Sequence, residues 1–368
     1  MPAISFYLPT KIFLENNCIA NHSDAFALGK KALLVTGHSS AKKNGAQADV
    51  LSILKRQGIA YAIFDKVSSN PDITTVYKGA EFARQQQADF IIAIGGGSPM
   101  DAAKAIALLA AQDIAEESLF AGKYAPKVLP LIHIPTTAGT GSEVTQYSIL
   151  SDDKAQTKRT IATPLIFPRY ALLDAKYQKE LPLPITINTA LDAFSHNVES
   201  LLSQKSNPLI AGLAKNAIKK ISDCFPAMTQ GKLTPNDREK LVYGSLIGGI
   251  AIAHTGTNIV HSLGYSLTYF RHIDHGRANA LTLTAFLDYL AKKHPQEVQE
   301  VLTAAGCTSV SQLHQIIDHL LGTKENFTEA ELKKYTTFAT QAKNINGSLV
   351  APTPEEILTL YTTSLLIK

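Results

Sequence analysis

Residues 88–105, ADFIIAIGGGSPMDAAKA, join an apolar β-branched run to three glycines and then to a helix-like segment. The apolar run predicts a buried strand, and the glycines let the backbone turn sharply into the following helix. Ser98 is expected to cap this helix, with Pro99 at its first position and Asp101 at its third. The helix N-terminus behind the glycines is a predicted site for a pyrophosphate. A tight turn without a ligand remains the alternative, since the G-x-G-x-x-G spacing is absent.

The sequence around this stretch repeats the alternation of strand and helix. Strands are predicted over the runs KKALLVTG, which ends at Gly37, GIAYAIFD, which ends at Asp65, ADFIIAIGGG and VLPLIHIPTT. Helices are predicted between them, over residues 44–58 and 74–87. This alternation indicates an α/β fold with a Rossmann-like, mostly parallel sheet. In such sheets ligands bind beyond the carboxyl ends of the strands, where the glycine and threonine clusters of this chain fall.

The pattern changes after a proline-bearing stretch around Pro182 and Pro184. Segments with helical periodicity and few strand signals then span residues 207–225, 238–254 and 278–293. Two domains are therefore expected, since the chain is too long for one ordinary domain. Residues 1–182 would form an α/β dinucleotide-binding domain, and residues 183–368 an all-α domain that binds a metal and carries catalysis.

Composition narrows the functional class. With 368 residues, 45% hydrophobic and 18% charged, the sequence is typical of a globular protein with an ample core. A net charge of +4 without a basic block argues against nucleic-acid or membrane-surface partners. The three cysteines are far apart, the N-terminus carries no secretion signal, and the apolar runs are too short to cross a bilayer. A cytoplasmic location is therefore expected.

Four side chains in the second half have the chemistry of a transition-metal site. Asp192 and His196 are four residues apart, so on a helix they share one face. His261 and His275 could complete a set that suits zinc or ferrous iron rather than magnesium or calcium. The short D-x3-H pair is often a chance occurrence, but the glycine turn upstream makes a metal and a nucleotide together the preferred interpretation. His254 lies on the same helical face as His261 and is a competing ligand.

A second small, hydroxyl-rich turn, PTTAGTGSE, occupies residues 135–143 directly after an apolar strand. It offers side-chain and backbone donors for phosphate or ribose oxygens. A plain polar loop is the alternative. Two such turns at equivalent strand ends make a nucleotide site the preferred interpretation.

Taken together and in order, IGGGSPMDAAKA, PTTAGTGSEVT, KRTIATPLIFPRYALLD, LDAFSH and HSLGYSLTYFRHIDHGRANAL resemble the iron-containing (group III) alcohol dehydrogenase family. The resemblance runs from about residue 5 to beyond residue 290. It implies an NAD(P)-dependent alcohol or aldehyde oxidoreductase, usually dimeric, with one divalent metal: Fe(II) first, Zn(II) or another ion as the alternative. The family's metal ligands would fall on Asp192, His196, His261 and His275. Its nucleotide contacts would fall on Asn70, Gly96, Gly97, Ser98, Asp101, Thr136, Thr137, Thr140, Thr145 and Lys158.

One departure from the family concerns the proton. Many members carry a histidine four residues after the third metal ligand, and this histidine is thought to relay a proton. This chain has Tyr265 there, so the relay cannot be carried over from the resemblance. Tyr265, water or a ribose hydroxyl remain alternatives. Tyr265 and His275 are the candidate catalytic residues.

A second departure concerns the choice of nucleotide. NAD-preferring relatives often carry an acidic residue where this chain has Gly37. A carboxylate there would bond a ribose 2′-hydroxyl and repel a 2′-phosphate. Gly37 removes that repulsion, and Ser39, Ser40 and Lys42 offer donors and positive charge. The sequence therefore predicts a preference for NADP(H), with an ordinary solvated helix start as the alternative.

The predicted reaction is reversible hydride transfer between a small primary alcohol and NAD(P), with the metal as Lewis acid. A homodimer is expected, with an edge strand near residues 4–14 pairing between subunits. One alternative is a lyase of the dehydroquinate-synthase type, which would need several cations for a phosphorylated substrate, whereas the segment between His261 and His275 offers little beyond Arg271. The other is a nucleotide-binding protein, stabilised by a metal, that catalyses nothing.

Overall fold

The structure is a computed structural model that describes residues 4–366. One compact unit spans Leu8–Leu181, and the other comprises residues 182–366 together with residues 4–7. The division lies next to the boundary expected at residues 182 and 183. Phe6 and Tyr7 are the exception, because Phe6 stacks on His254 with ring centroids 4.3 Å apart and the Tyr7 N–H donates to His254 Nε2 at 3.1 Å. They therefore belong with the helical unit and not with the α/β unit.

The α/β unit is built on one sheet, whose strands are β1 (Lys11–Leu14), β2 (Lys31–Gly37), β3 (Ala60–Val67), β4 (Phe90–Gly95), β5 (Leu131–Pro135) and β8 (Tyr170–Leu173). These strands lie in the order β1-β8-β5-β4-β2-β3, and all neighbours are parallel. The helices of this unit are α1 (Cys18–Asn21), α2 (Ser40–Lys43), α3 (Ala46–Arg56), α4 (Ile73–Gln85) and α5 (Gly97–Ala111). A separate antiparallel hairpin consists of β6 (Tyr147–Asp152) and β7 (Thr157–Ala162). The predicted parallel α/β sheet is confirmed.

Both faces of the sheet are covered, which explains why its central strands are continuous apolar runs. Along β4, Ile91 and Ala93 pack in one core cluster with Ile106 of α5. Phe90 and Ile92, on the opposite face, pack in another cluster with residues of α3. Alternate side chains of one strand thus serve two cores.

The glycine turn enters its helix earlier than expected. Helix α5 begins at Gly97, with Gly96 as its cap residue, so the prediction that Ser98 caps the helix is wrong. Gly95 has a φ of 155°, which L side chains rarely adopt, and a Cβ there would lie 2.6 Å from Pro99 Cγ. The chain therefore turns at Gly95. The Ser98 hydroxyl instead accepts a hydrogen bond from the Asn70 N–H at 3.1 Å.

The second unit is helical in its described residues, apart from one isolated bridge between Ser203 and Ser348. Its helices are α6 (Leu183–Leu201), α7 (Pro208–Ser222), α8 (Phe225–Thr229), α9 (Pro235–Thr255), α10 (Ile259–Arg271), α11 (His275–Ala291), α12 (Pro295–Ala305), α13 (Val310–Leu321), α14 (Glu329–Gln341) and α15 (Pro354–Leu365). Helix α6 packs against α7, α9 and α11. The start of α11 lies so close to α6 that a Cβ at Gly276 would overlap the Asn188 carbonyl. Within residues 4–366, none of the helices combines the length and the apolar character needed to cross a membrane.

Candidate metal centre and nucleotide-binding turns

Three helices of the second unit position the predicted metal ligands. Asp192 and His196 lie one turn apart on α6, as their spacing predicts. His261 lies in the first turn of α10, and His275 is the first residue of α11. Two helix N-termini therefore meet the middle of a third helix at the site.

The structure brings the four side chains together. One ligand atom each from Asp192, His261 and His275 lies within 4.8 Å of the others. The Nε2 atoms of His196, His261 and His275 lie 3.9, 3.6 and 3.9 Å from Asp192 Oδ1. His196 also stacks on His261, with ring centroids 4.6 Å apart. These distances are short enough for one ion to be shared after small side-chain adjustments.

Burial and charge both favour a cation here. Asp192, His196 and His261 are buried, while the His275 side chain remains 21% exposed. Burial alone would raise the pKa of Asp192, but the neighbouring imidazoles hold it well below its ordinary value. Burial would lower the pKa of His261, but Glu199 and Asp192 raise it to about 9. One carboxylate and three imidazoles, with three of these four side chains buried, fit a divalent transition metal.

His254, the competing ligand, is hydrogen-bonded to residues outside the cluster. His254 Nε2 accepts the Tyr7 N–H, and His254 Nδ1 lies 2.7 Å from the Ile250 carbonyl oxygen. It therefore does not belong to the cluster. Tyr265, one turn after His261 on α10, stacks on His275 with ring centroids 5.8 Å apart and planes 14° from parallel.

Two further side chains at this centre were not predicted from the sequence. The buried Glu199 carboxylate is hydrogen-bonded to His261 Nδ1. The Asn279 amide nitrogen lies 2.9 Å from Asp192 Oδ1 and 3.1 Å from His261 Nε2. The available signal was helical spacing, because Glu199 follows His196 by three residues and Asn279 follows His275 by four.

In the α/β unit, the two small turns contact each other at the carboxyl ends of the neighbouring strands β4 and β5. A Cβ at Gly97 would lie 2.7 Å from Thr140 Cγ2, and a Cβ at Gly96 would lie 3.1 Å from Thr137 Oγ1. The Thr136 N–H donates to the Gly95 carbonyl at 2.8 Å. The cap residue of α5 is Gly96, which has no side chain to bond the first N–H groups of the helix. Such a helix N-terminus fits the phosphates of a dinucleotide.

A buried lysine that the sequence did not single out joins these turns. Lys104 donates to the hydroxyls of Ser142 and Thr145 and to the Tyr147 carbonyl, at 2.8–3.0 Å. The Ser142 hydroxyl in turn donates to Asp101 Oδ1 at 2.6 Å. Burial lowers the pKa of Lys104 to about 8, although Asp101 and Glu143 oppose the shift. Asp101 and Thr145 are thus bonded within the unit, and their contact with a nucleotide stays a prediction.

The residues predicted to select the nucleotide follow β2. Gly37 ends that strand, Ser39 is the cap residue of α2, and Ser40 begins α2. Lys42 lies in the same helix, with its Nζ 3.0 Å from Asp65 Oδ2. The four residues predicted from the sequence are therefore adjacent in space as well as in sequence.

Asn70 and Lys158 are the remaining predicted nucleotide contacts. Asn70 has a φ of 55°, and its carbonyl accepts the Ser151 hydroxyl at 3.3 Å. Lys158 pairs with Ser151 across the β6–β7 hairpin. Ser151 therefore connects the Asn70 turn to the hairpin that carries Lys158.

Comparison with known proteins agrees with this geometry. The iron-containing alcohol dehydrogenase model matches residues 9–175, and the C-terminal model of the same family matches residues 186–365. The chain is 31% identical over 331 residues to an NADPH-dependent butanol dehydrogenase of Clostridium saccharobutylicum, covering 86% of this chain and 83% of the relative. It is 31% identical over 306 residues to a 1,3-propanediol dehydrogenase of Citrobacter freundii, covering 82% and 79%.

A solved structure extends the likeness to three dimensions. The iron-containing alcohol dehydrogenase of Thermotoga maritima superposes with a TM-score of 0.91 at 38% identity, covering 98% of this chain and 99% of that one. The two family models together span most of both units. The predicted oxidoreductase class, with a metal and a nicotinamide nucleotide as its cofactors, is confirmed, and the chain belongs to the iron-containing alcohol dehydrogenase family.

Proposed function

We propose that this protein catalyses reversible hydride transfer between a small primary alcohol and its aldehyde, with NADP(H) preferred over NAD(H). The observation that carries the proposal is the cluster of the buried Asp192 and His261 with the partly buried His275, whose ligand atoms lie within 4.8 Å of one another. A relative named as a butanol dehydrogenase and another named as a 1,3-propanediol dehydrogenase support a small alcohol as substrate.

In this proposal Asp192, His196, His261 and His275 hold one divalent ion, with Fe(II) as the first choice and Zn(II) as the alternative. Such an ion, when bound, supplies Lewis-acid chemistry toward the oxygen of the alcohol or aldehyde. The protein's own part is to keep the ligands buried and the water out, which strengthens every electrostatic interaction at the centre. His275 is the most exposed of the four ligands and marks the side from which a substrate would approach.

The nucleotide is assigned to the turns of the α/β unit. The N-terminus of α5 would receive the pyrophosphate, and the hydroxyls of the 135–143 turn would bond neighbouring oxygens. The 2′-phosphate would be bound by Ser39, Ser40 and Lys42, and Gly37 would present no carboxylate to repel it. The bound nicotinamide supplies or accepts the hydride.

We propose that Tyr265 transfers the proton to or from the oxygen of the substrate. Its ring lies parallel to that of His275, so the phenol is held beside a metal ligand. A hydroxyl in this position could donate to, or accept from, the oxygen of the substrate. Replacing Tyr265 by Phe keeps the stacked ring and removes the hydroxyl, so it separates proton transfer from packing.

The test is the rate of NADPH and NADH oxidation with butyraldehyde, after anaerobic loading with Fe(II), with and without a chelator. The proposal predicts turnover that favours NADPH and disappears with the chelator. His261→Ala should abolish that turnover, whereas His254→Ala, which alters a histidine outside the cluster, should retain it. Turnover that the chelator leaves unchanged would overturn the metal assignment.

The same assay separates the alternatives. A lyase would bind a phosphorylated substrate, but Arg271 is already bonded to Glu331 at 2.6 Å and to the Asn326 carbonyl. A non-catalytic protein would bind NADPH tightly and turn over no member of an aldehyde panel.

A homodimer remains part of the proposal, with β1 at the edge of the sheet as the pairing strand. Its measurement is the molar mass in solution. The cytoplasmic location stays a prediction.

A further inference from the structure

We propose that Glu199 is a positioning residue of the metal centre, which holds His261 in the one tautomer whose Nε2 can bind a cation. The inference rests on the proposed function only in so far as that function needs a metal bound by His261. Glu199 would not itself touch the metal or the substrate. Its role would be to decide where the proton of His261 resides.

The Glu199 carboxylate faces the first turn of α10. It is fully buried on α6, and its Oε2 is hydrogen-bonded to His261 Nδ1. Its Oε1 accepts the N–H of Val260 at 2.7 Å and the N–H of His261 at 3.3 Å. One carboxylate therefore binds the backbone and the side chain of the same histidine.

Each of these contacts has a physical reason. The first N–H groups of a helix have no partner within the helix, and a negative charge at its N-terminus is favourable. A buried carboxylate is costly unless hydrogen bonds satisfy it, and here three donors converge on it. An ionised carboxylate can only accept, so Nδ1 of His261 must be the donor.

The other nitrogen of His261 gives an independent indication. The Asn279 amide nitrogen lies 3.1 Å from His261 Nε2 and 2.9 Å from Asp192 Oδ1. The Asn279 amide nitrogen is thus close to both groups, so Nε2 and the Asp192 carboxylate face the same point. A cation bound there would replace any proton on Nε2, and the proton left on Nδ1 would be the one that Glu199 accepts. This is the tautomer that a metal requires when it binds through Nε2.

The arrangement also fixes the ring relative to α6. Asp192, His196 and Glu199 lie at positions i, i+4 and i+7 of one helix, so they share a face. The Asn258 side chain donates to the Glu199 carbonyl at 3.0 Å and ties the start of α10 to this face. A single helix thus carries two of the ligands and the group that orients a third.

The test is Glu199→Gln, which keeps the shape and replaces one oxygen by an NH2 group. If the amide oxygen keeps the backbone donors, the NH2 must face Nδ1. The His261 proton then moves to Nε2, where it opposes metal binding. We expect the affinity for Zn(II), measured by competition with a chromophoric chelator, to fall about 10- to 100-fold. The visible absorption of bound Co(II) should change as well, because a ligand is lost or displaced.

The matched control is Glu356→Gln. Glu356 also bonds the N-terminus of a helix, as the acidic partner of a capping box on α15, but it contacts no histidine of the cluster. It should lose some thermal stability and keep the affinity for Zn(II). A folded Glu199→Gln protein that binds Zn(II) as tightly as the unchanged chain would overturn the proposal.

A second measurement applies if Glu199→Gln does not fold. The ¹⁵N chemical shifts of the histidine rings in the unchanged protein report which ring nitrogen carries the proton. The proposal requires a protonated Nδ1 at His261 and a Zn(II)-induced shift at Nε2, and the opposite pattern contradicts it. These readouts need no turnover. A protein that binds Zn(II) as expected but reduces no aldehyde would refute the proposed function and leave the role of Glu199 intact.

Discussion

Lys42 and Asp65 form an ion pair, with Lys42 Nζ 3.0 Å from Asp65 Oδ2. The hydrogen bond from Lys42 is the main reason why the pKa of Asp65 is lowered. The cation that we assign to the 2′-phosphate of NADP(H) therefore already has a carboxylate partner. In that assignment, Asp65 would compete for Lys42 and would repel the phosphate.

Asp65→Asn should therefore strengthen the preference for NADPH. The pair is partly exposed, and such pairs are worth at most about 1 kcal/mol, so kcat/KM for NADPH should rise by up to about fivefold. The value for NADH should change little, because NADH has no 2′-phosphate. The measurement is the ratio of the two constants with one aldehyde. Glu116→Gln, which breaks the exposed pair with Lys154, is the control and should leave the ratio unchanged. A fall in the ratio would instead mean that Asp65 holds Lys42 in its productive position.

Gly37→Asp should reverse the preference for NADP(H) that we propose. A Cβ at Gly37 would lie 3.5 Å from the Val67 carbonyl oxygen and 3.9 Å from Ser40 Oγ, which are ordinary contacts. The new carboxylate would bond a ribose 2′-hydroxyl and repel a 2′-phosphate. We expect the ratio of kcat/KM for NADPH over NADH to fall about tenfold or more, with little change in the melting temperature. An unchanged ratio would place the 2′-phosphate away from the end of β2.

The raised pKa of Glu143 predicts that the stability of the protein depends on pH. Burial raises the pKa of this carboxyl from 4.5 to about 7, against the influence of Lys104. Between these values the folded chain binds more protons than the unfolded chain, so this contribution to stability is present below pH 4.5 and is lost as the pH rises through 7. Glu143→Gln removes the titration. Relative to the unchanged protein, the variant should be less stable, or equal, at pH 5 and gain stability at pH 8. Unfolding by denaturant at both pH values measures the difference, and parallel curves would contradict the prediction.

The sequence predicted both edge strands of the parallel sheet, β1 and β3, and the inner strands β2, β4 and β5, but not β8. The runs that form β2, β4 and β5 are apolar and are followed by glycine or threonine. Their hydrophobic pattern and their turn residues therefore both indicate a strand. Strand β1 lies within the edge strand expected near residues 4–14, whereas β8 is the four-residue run YALL, too short to stand out in the sequence. In the hairpin β6–β7, the residues of β6 alternate between buried and partly buried, and β6 packs against α5. Its pairing with the largely exposed or partly buried β7 therefore depends on the tertiary structure.

For the candidate site, spacing and the family resemblance predict four ligand positions, whereas Glu199 and Asn279 were not predicted. Glu199 and His261 are 62 residues apart, and no local pattern predicts their contact. Lys104 has the sequence context of an ordinary helix lysine, yet it is fully buried, because hydroxyls and a carbonyl from the 142–147 segment surround its ammonium. Long-range polar contacts of this kind depend on the tertiary structure.

Gly264 provides a stability test of the metal centre. It lies one turn after His261 on α10, and a Cβ there would overlap Asn279 Oδ1. Gly264→Ala should therefore displace the Asn279 amide from Asp192 and His261, and overpacking should cost about 1–3 kcal/mol of the free energy of unfolding.

Gly212→Ala is the matched control, because Gly212 is an exposed residue inside α7 with no atom within 4 Å of the added Cβ. That change should stabilise the protein by about 0.5–1 kcal/mol, since glycine is a poor helix residue. Denaturant unfolding measures both, and Zn(II) affinity should fall for Gly264→Ala alone. Equal stability of the two variants would show that the Asn279 amide moves aside at no cost and does not help to hold the ligands.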